Sequence, residues 1–193
     1  MINYPFNAPR GPLMCDVQGT VLCDDERRWL GHPAVGGIIL FARNVEHPEQ
    51  MRALCDDIRS HRPDILIAID QEGGRVQRLR EGVTRLPPMA ALGRYYREAP
   101  SEALVLARDT GWLLAMEMAA CGVDFSFAPV LDLDDARCPA IGNRAFSDDP
   151  QHVIALAGAF VRGLQDAGMA GVGKHFPGPV SYTHLTLPTI YSV

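Results

Sequence analysis

Residues 65–78 run Ile65-Leu66-Ile67-Ala68-Ile69-Asp70-Gln71-Glu72-Gly73-Gly74-Arg75-Val76-Gln77-Arg78. The first five are continuously apolar, as expected of a strand buried on both faces of a parallel sheet. At Asp70 the character switches to charged, amide and glycine residues. The same switch recurs. Apolar runs also occupy residues 12–17, 36–41, 123–130 and 170–175, and two of them likewise end in polar groups. One passes into Leu131-Asp132-Leu133-Asp134, and the other into Lys174-His175-Phe176-Pro177-Gly178.

Helical periods separate the runs. Met51, Leu54, Cys55 and Ile58 follow Pro48 at i, i+3, i+4, i+7 spacing. Ser101-Glu102 reads as a helix start, with Leu104, Ala107, Gly111, Leu114 and Met118 forming its apolar stripe. A further helix has Asp149 as cap and Pro150 at its first position. Val153, Ala157, Phe160, Val161 and Leu164 face inward, and Gly168 ends it. A shorter helix is expected over residues 24–30.

Alternating strand and helix with right-handed crossovers gives either a doubly wound sheet or a closed barrel. A dinucleotide-binding doubly wound sheet needs G-x-G-x-x-G directly after a strand, and no such run is present. Five strands by residue 178 extrapolate to roughly 250–300 residues for eight, the usual barrel size. The expected fold is therefore α/β, a (β/α)8 TIM barrel truncated after about five βα units. It comprises residues 1–178. Residues 179–193 lack acidic and basic residues apart from His184 and read as a non-native tail, foreign or frame-shifted.

Composition narrows the function classes. A net charge of -5 and a pI near 5.6, with scattered Lys and Arg, leave no footprint for nucleic acid. No apolar stretch approaches the ~18 residues that suggest a membrane span, and the N-terminus has no signal-peptide pattern. The five cysteines, Cys15, Cys23, Cys55, Cys121 and Cys138, are odd in number and lack a C-x-x-C pair. They read as reduced, mostly buried thiols of a cytoplasmic protein.

In a parallel barrel the polar strand ends converge on the face where active sites are built. Asp70 and Glu72 admit two readings: a glycosidase-like carboxylate pair, or one carboxylate that pairs with Arg75 or Arg78 and orders the loop. Gly168 to Lys174 is a near-miss to a phosphate loop. It follows a helix and leads into a strand, the reverse of the required order, and His175 stands where a hydroxyl residue should hold magnesium. His175 has no second His or Cys at ligand spacing, so no metal is expected, and no cofactor either. Beside Lys174 it reads as a donor to neutral sugar hydroxyls.

Four motifs in order carry a family resemblance. They are Val35-Gly36-Gly37-Ile38-Ile39-Leu40-Phe41-x-Arg43-Asn44, Ile69 through Arg78, Phe127-Ala128-Pro129-Val130-Leu131-Asp132, and Lys174-His175-Phe176-Pro177-Gly178. The chain resembles glycoside hydrolase family 3 from about Gly11 to Gly178, and within it the bacterial single-domain β-N-acetylglucosaminidases of peptidoglycan recycling. The resemblance implies a (β/α)8 barrel in which Asp70, Arg78, Arg144, Lys174 and His175 bind a terminal N-acetylglucosamine of a muropeptide.

The resemblance further implies a retaining reaction, with an aspartate nucleophile and a histidine acid/base assisted by an aspartate. The family pattern continues Lys-His-Phe-Pro-Gly-His-Gly towards Asp-Ser-His. Here Pro179-Val180 follow Gly178, and Leu185, Thr186 and Leu187 occupy the later positions. His184 has neither the register nor an aspartate partner. No catalytic residue is therefore expected within the chain, and the fragment is expected to be inactive. The alternatives are a β-glucosidase of the same family and a non-catalytic sugar-binding remnant.

Overall fold

The computed structural model describes residues 10–135, 138–176 and 178. In chain order, strand β1 (Leu13–Cys15) leads into helix α1 (Asp24–Leu30), strand β2 (Val35–Leu40), helix α2 (Pro48–His61) and strand β3 (Leu66–Ile69). A short hairpin follows, β4 (Gln71–Gly73) and β5 (Val76–Gln77), then helices α3 (Met89–Glu98) and α4 (Pro100–Ala120). Strand β6 (Phe125–Ser126) and helix α5 (Pro150–Asp166) complete the series.

The main sheet has the order β1-β2-β3-β6, and every pairing is parallel. Each strand of the sheet therefore lies beside the strand that follows it, and the order never reverses as it does in a doubly wound sheet. This is the winding of a (β/α)8 barrel, and the described residues form an arc of one. β2 and β3 are buried almost throughout, with Ile38, Leu40, Ile67 and Ile69 in one core with Met51, Leu54, Cys55 and Ile58 of α2.

Helix boundaries follow local chemistry. Asp149 accepts a hydrogen bond from the Gln151 backbone N–H at 2.8 Å, with Pro150 at the first helical position. Gly168, at φ +81°, takes the left-handed turn beyond the helix end. Helices α4 and α5 pack backbone to backbone. A methyl group built on Gly111 would lie 2.2 Å from the Phe160 carbonyl oxygen, and one on Gly163 would lie 1.9 Å from that of Arg108.

Three elements differ from the sequence expectation. Within the run at 123–130 only Phe125–Ser126 form a strand, paired with β3, and Pro129 has no N–H to give to a ladder. The run at 170–175 joins through one parallel bridge, Val130 to Lys174, supported by Val172 N–H to the Ala128 carbonyl at 2.8 Å and Leu131 N–H to the Lys174 carbonyl at 2.6 Å. Helix α3 was not anticipated. It follows Pro87-Pro88 and buries Met89, Leu92 and Gly93. The tail at 179–193 lies outside the described residues.

Of the five cysteines, all are free. Cys55, Cys121 and Cys138 are buried as expected, whereas Cys23 is exposed at the start of α1. Among the described residues, no helix is long and apolar enough to cross a membrane.

Candidate functional site

The site assembles at the C-terminal ends of the strands. β3 delivers Asp70, and the hairpin after it carries Glu72 and Arg78. The reversal is made at Gly73 (φ +114°) and Gly74 (φ +57°), left-handed positions that favour glycine. A Cβ on Gly74 would also lie 2.9 Å from the Pro88 Cα.

Two buried glutamines fix the loop that presents Arg78. The Gln71 side chain accepts from the backbone N–H of Arg78 at 2.8 Å and Leu79 at 3.2 Å, and donates to the Leu79 carbonyl at 2.9 Å. Gln77 donates to the Thr84 carbonyl at 2.8 Å and accepts from the Leu86 N–H at 3.1 Å. Each primary amide substitutes for a strand partner, which satisfies backbone groups that no ladder reaches. The Ser126 hydroxyl joins β6 to this loop, accepting from Gln71 N–H at 3.0 Å.

Three cations converge on two carboxylates. Arg144, in a 3-10 turn (Gly142–Arg144), donates to both oxygens of Glu72, through Nε at 2.8 Å and Nη2 at 2.7 Å. Such a bidentate, charge-assisted pair is among the stronger side-chain contacts. The Lys174 ammonium lies 2.5 Å from Glu72 Oε1 and 2.8 Å from Asp70 Oδ1. Arg78 Nη2 reaches Asp70 Oδ2 at 3.4 Å, and its Nε is buried with no hydrogen-bond partner among the described residues. The Glu72 side chain is 3% exposed, against 14% for Lys174 and 15% for Arg144. The acid is therefore the floor of the cluster, and the cations stand above it.

Burial works to raise the Asp70 pKa, but the Lys174 hydrogen bond and charge, with Arg78, outweigh it. The carboxyl is held below the ordinary aspartate range. The hydrogen bond to Glu72 raises the Arg144 pKa further, so its guanidinium is permanently charged.

All five residues expected in the site, Asp70, Arg78, Arg144, Lys174 and His175, lie at this one end of the sheet. Asp70, Arg78 and Lys174 are in direct contact, and Arg144 joins them through Glu72. His175 stands slightly apart, with Nδ1 2.6 Å from Asp132 Oδ2. One ring nitrogen of His175 is thus engaged within the protein. Of the two acids, Asp70 makes the contact with Arg78, whereas Glu72 pairs with Arg144 and Lys174. Arg75 instead reaches across to the Ala140 carbonyl at 2.6 Å and to Asn143 Oδ1 at 3.4 Å, tying the hairpin to the loop that carries Arg144. With one ammonium shared between them, Asp70 and Glu72 are salt-bridged neighbours.

Asp132 was not singled out from sequence, although it closes one of the quoted motifs. Its side chain is 2% exposed, and a buried acid at a strand end is the signal that marks it.

A family model described as the glycosyl hydrolase family 3 N terminal domain matches residues 14–191. The beta-hexosaminidase of Thiobacillus denitrificans is 55% identical over 182 residues, covering 92% of this chain and 51% of that protein. That of Pseudomonas aeruginosa PAO1 is 56% identical over 169 residues, covering 88% and 49%. Among solved structures, NagZ from Neisseria gonorrhoeae in complex with N-trifluoroacetyl-D-glucosamine superposes with a TM-score of 0.86 at 48% identity, over 89% of this chain and 52% of that one. The chain thus spans about half the length of the curated relatives it matches. A match over most of its residues, on a parallel barrel arc with this strand-end cluster, makes the chain a member of the glycosyl hydrolase family 3 N-terminal domain family.

Proposed function

We propose that the protein carrying this chain hydrolyses terminal non-reducing β-linked N-acetylglucosamine, with retention of configuration, and that residues 70–175 supply its sugar-binding half. The observation that carries this reading is the cluster of Arg78, Arg144 and Lys174 around Asp70 and Glu72. It offers several charged donors and one partly exposed carboxylate acceptor at a single point of the barrel rim. A polyhydroxylated ring needs both kinds of partner, and a carboxylate acceptor at the ring gains strength as positive charge develops at the anomeric carbon. The names of the relatives, beta-hexosaminidase, favour an N-acetylhexosamine over glucose.

Peptidoglycan fragments in the cytoplasm are the proposed natural substrate, and the five unpaired thiols fit a reducing compartment. The 193-residue chain alone is proposed to be inactive, because it is read as lacking both nucleophile and acid/base.

The test compares the full-length protein on a chromogenic β-N-acetylglucosaminide and on the matching β-glucoside. Hydrolysis confined to the first supports the proposal. Preference for the glucoside transfers the protein to the β-glucosidases, and turnover by the 193-residue chain overturns its assigned inactivity.

A further inference from the structure

Asp132 stands at the end of the strand-end run that follows β6, with its side chain almost wholly buried. Its Oδ2 is 2.6 Å from His175 Nδ1, and its Oδ1 is 3.4 Å from the His175 backbone N–H. Both oxygens therefore act as acceptors toward the same residue. A carboxylate that accepts at Nδ1 requires the proton to be on Nδ1. In the neutral ring this leaves Nε2 as a lone-pair acceptor.

The surroundings give that tautomer a consequence. Arg78, Arg144 and Lys174 have no acceptor capacity. Glu72 is covered by Arg144 and Lys174, and Asp70 already receives Lys174 and Arg78. A sugar hydroxyl is a donor as well as an acceptor, and Asp70, whose two oxygens already receive Lys174 and Arg78, leaves few acceptor positions for the hydroxyl protons of a whole ring. Leaving a buried polar group unmatched weakens binding. His175, adjacent in sequence to Lys174 and 37% exposed, supplies a further acceptor, beside Asp70, only when Asp132 holds its Nδ1 proton.

We infer that Asp132 is a positioning residue, which fixes His175 as the Nδ1–H tautomer so that Nε2 accepts a hydrogen bond from a hydroxyl of the bound sugar. The inference rests on the sugar-binding function proposed above, and it deepens that reading by assigning a direction to one hydrogen bond.

The experiment uses the full-length protein with 15N-labelled histidine. Imidazole correlation spectra, with His175→Gln to identify the resonance, report which ring nitrogen is protonated. The expected result is Nδ1–H in the neutral ring, with Nε2 at an acceptor shift that moves when N-acetylglucosamine is added. Asp132→Asn should shift the population toward Nε2–H and raise KM roughly tenfold or more, with kcat changed much less and the thermal midpoint retained.

An Nε2–H tautomer in the wild type, with sugar turnover intact, overturns the role of Asp132 alone. So does an Asp132→Asn protein that folds and keeps the wild-type KM. If the wild type neither binds nor cleaves β-N-acetylglucosaminides, the function proposed above falls, and the sugar contact of His175 with it. Should Asp132→Asn fail to fold, the wild-type spectrum decides the tautomer without it.

Discussion

Arg144 grips Glu72 with two parallel hydrogen bonds, at 2.8 and 2.7 Å, across 72 positions of sequence. The contact locks the loop after β6 to the hairpin after β3, and Lys174 then closes on the same carboxylate from a third segment. Three stretches of chain are therefore held by one buried acid. Removing one partner of such a group leaves the others charged and uncompensated. Glu72→Ala should destabilise the full-length protein by about 3–5 kcal/mol, read as a lowered urea midpoint, and should raise KM for a β-N-acetylglucosaminide. Glu72→Gln keeps the shape but loses the charge and should fall between the two. An alanine variant with an unchanged midpoint would remove Glu72 from this role.

Asp70 gives a pH dependence of definite sign. Its folded pKa lies below the ordinary value because Lys174 and Arg78 outweigh the effect of burial. A depressed carboxyl contributes stability that is fully present above the unfolded pKa, about 3.9, and is lost as pH falls through the lower folded value. The stability difference between wild type and Asp70→Asn should thus be constant from pH 5 to 8 and close on acidification below about pH 4. Urea titrations at several pH values measure it. A difference that changes between pH 6 and 8 would point to another group.

The seam between α4 and α5 depends on two glycines. Alanine normally gains about 1 kcal/mol over glycine within a helix. Here its methyl group at residue 163 would sit 1.9 Å from the Arg108 carbonyl oxygen, and at residue 111 it would sit 2.2 Å from that of Phe160. Overpacking of this kind costs about 1–3 kcal/mol or more and should outweigh the helical gain. Gly163→Ala should therefore lower the unfolding midpoint. Gly158→Ala, whose Cβ would approach only Arg162 Nη1 at 3.5 Å, should not.

Thiol reactivity should divide by burial. Burial pushes the Cys55 pKa up to about 12, so almost no thiolate forms near neutrality. Cys23 is exposed. Iodoacetamide at pH 8 should alkylate Cys23 within the native protein and reach Cys55 only after denaturation, as peptide mass mapping would show. Native labelling of Cys55 would mean that the core around α2 opens readily.

The barrel was legible in the sequence because strands buried on both faces leave continuous apolar runs, as in 36–41 and 65–69, and because charged residues follow them immediately. The weaker strands were harder. Pro129 sits inside an apolar run and removes a ladder donor, so hydropathy alone overstates β6. Helix α3 follows two prolines, and its stripe of Met89, Leu92 and Gly93 is short enough to pass for loop. Within the site, the residue types were readable but their pairing was not. Nothing local in Gly73-Gly74-Arg75 says that Glu72 will find Arg144 and Lys174, since one partner arrives from a distant loop and the other from a distant strand end. The Asp132 partner of His175 is illegible for the same reason, as it lies 43 positions away.

The central claim is that the Asp70 cluster holds the terminal sugar. The most direct measurement is kcat/KM for a chromogenic β-N-acetylglucosaminide, comparing the full-length wild type with Asp70→Ala. Loss of a charged hydrogen-bonding partner at the sugar, together with disruption of Lys174 and Arg78, predicts a fall of roughly a hundredfold or more in a protein that remains folded. A folded Asp70→Ala protein with kcat/KM within about twofold of wild type would contradict the account.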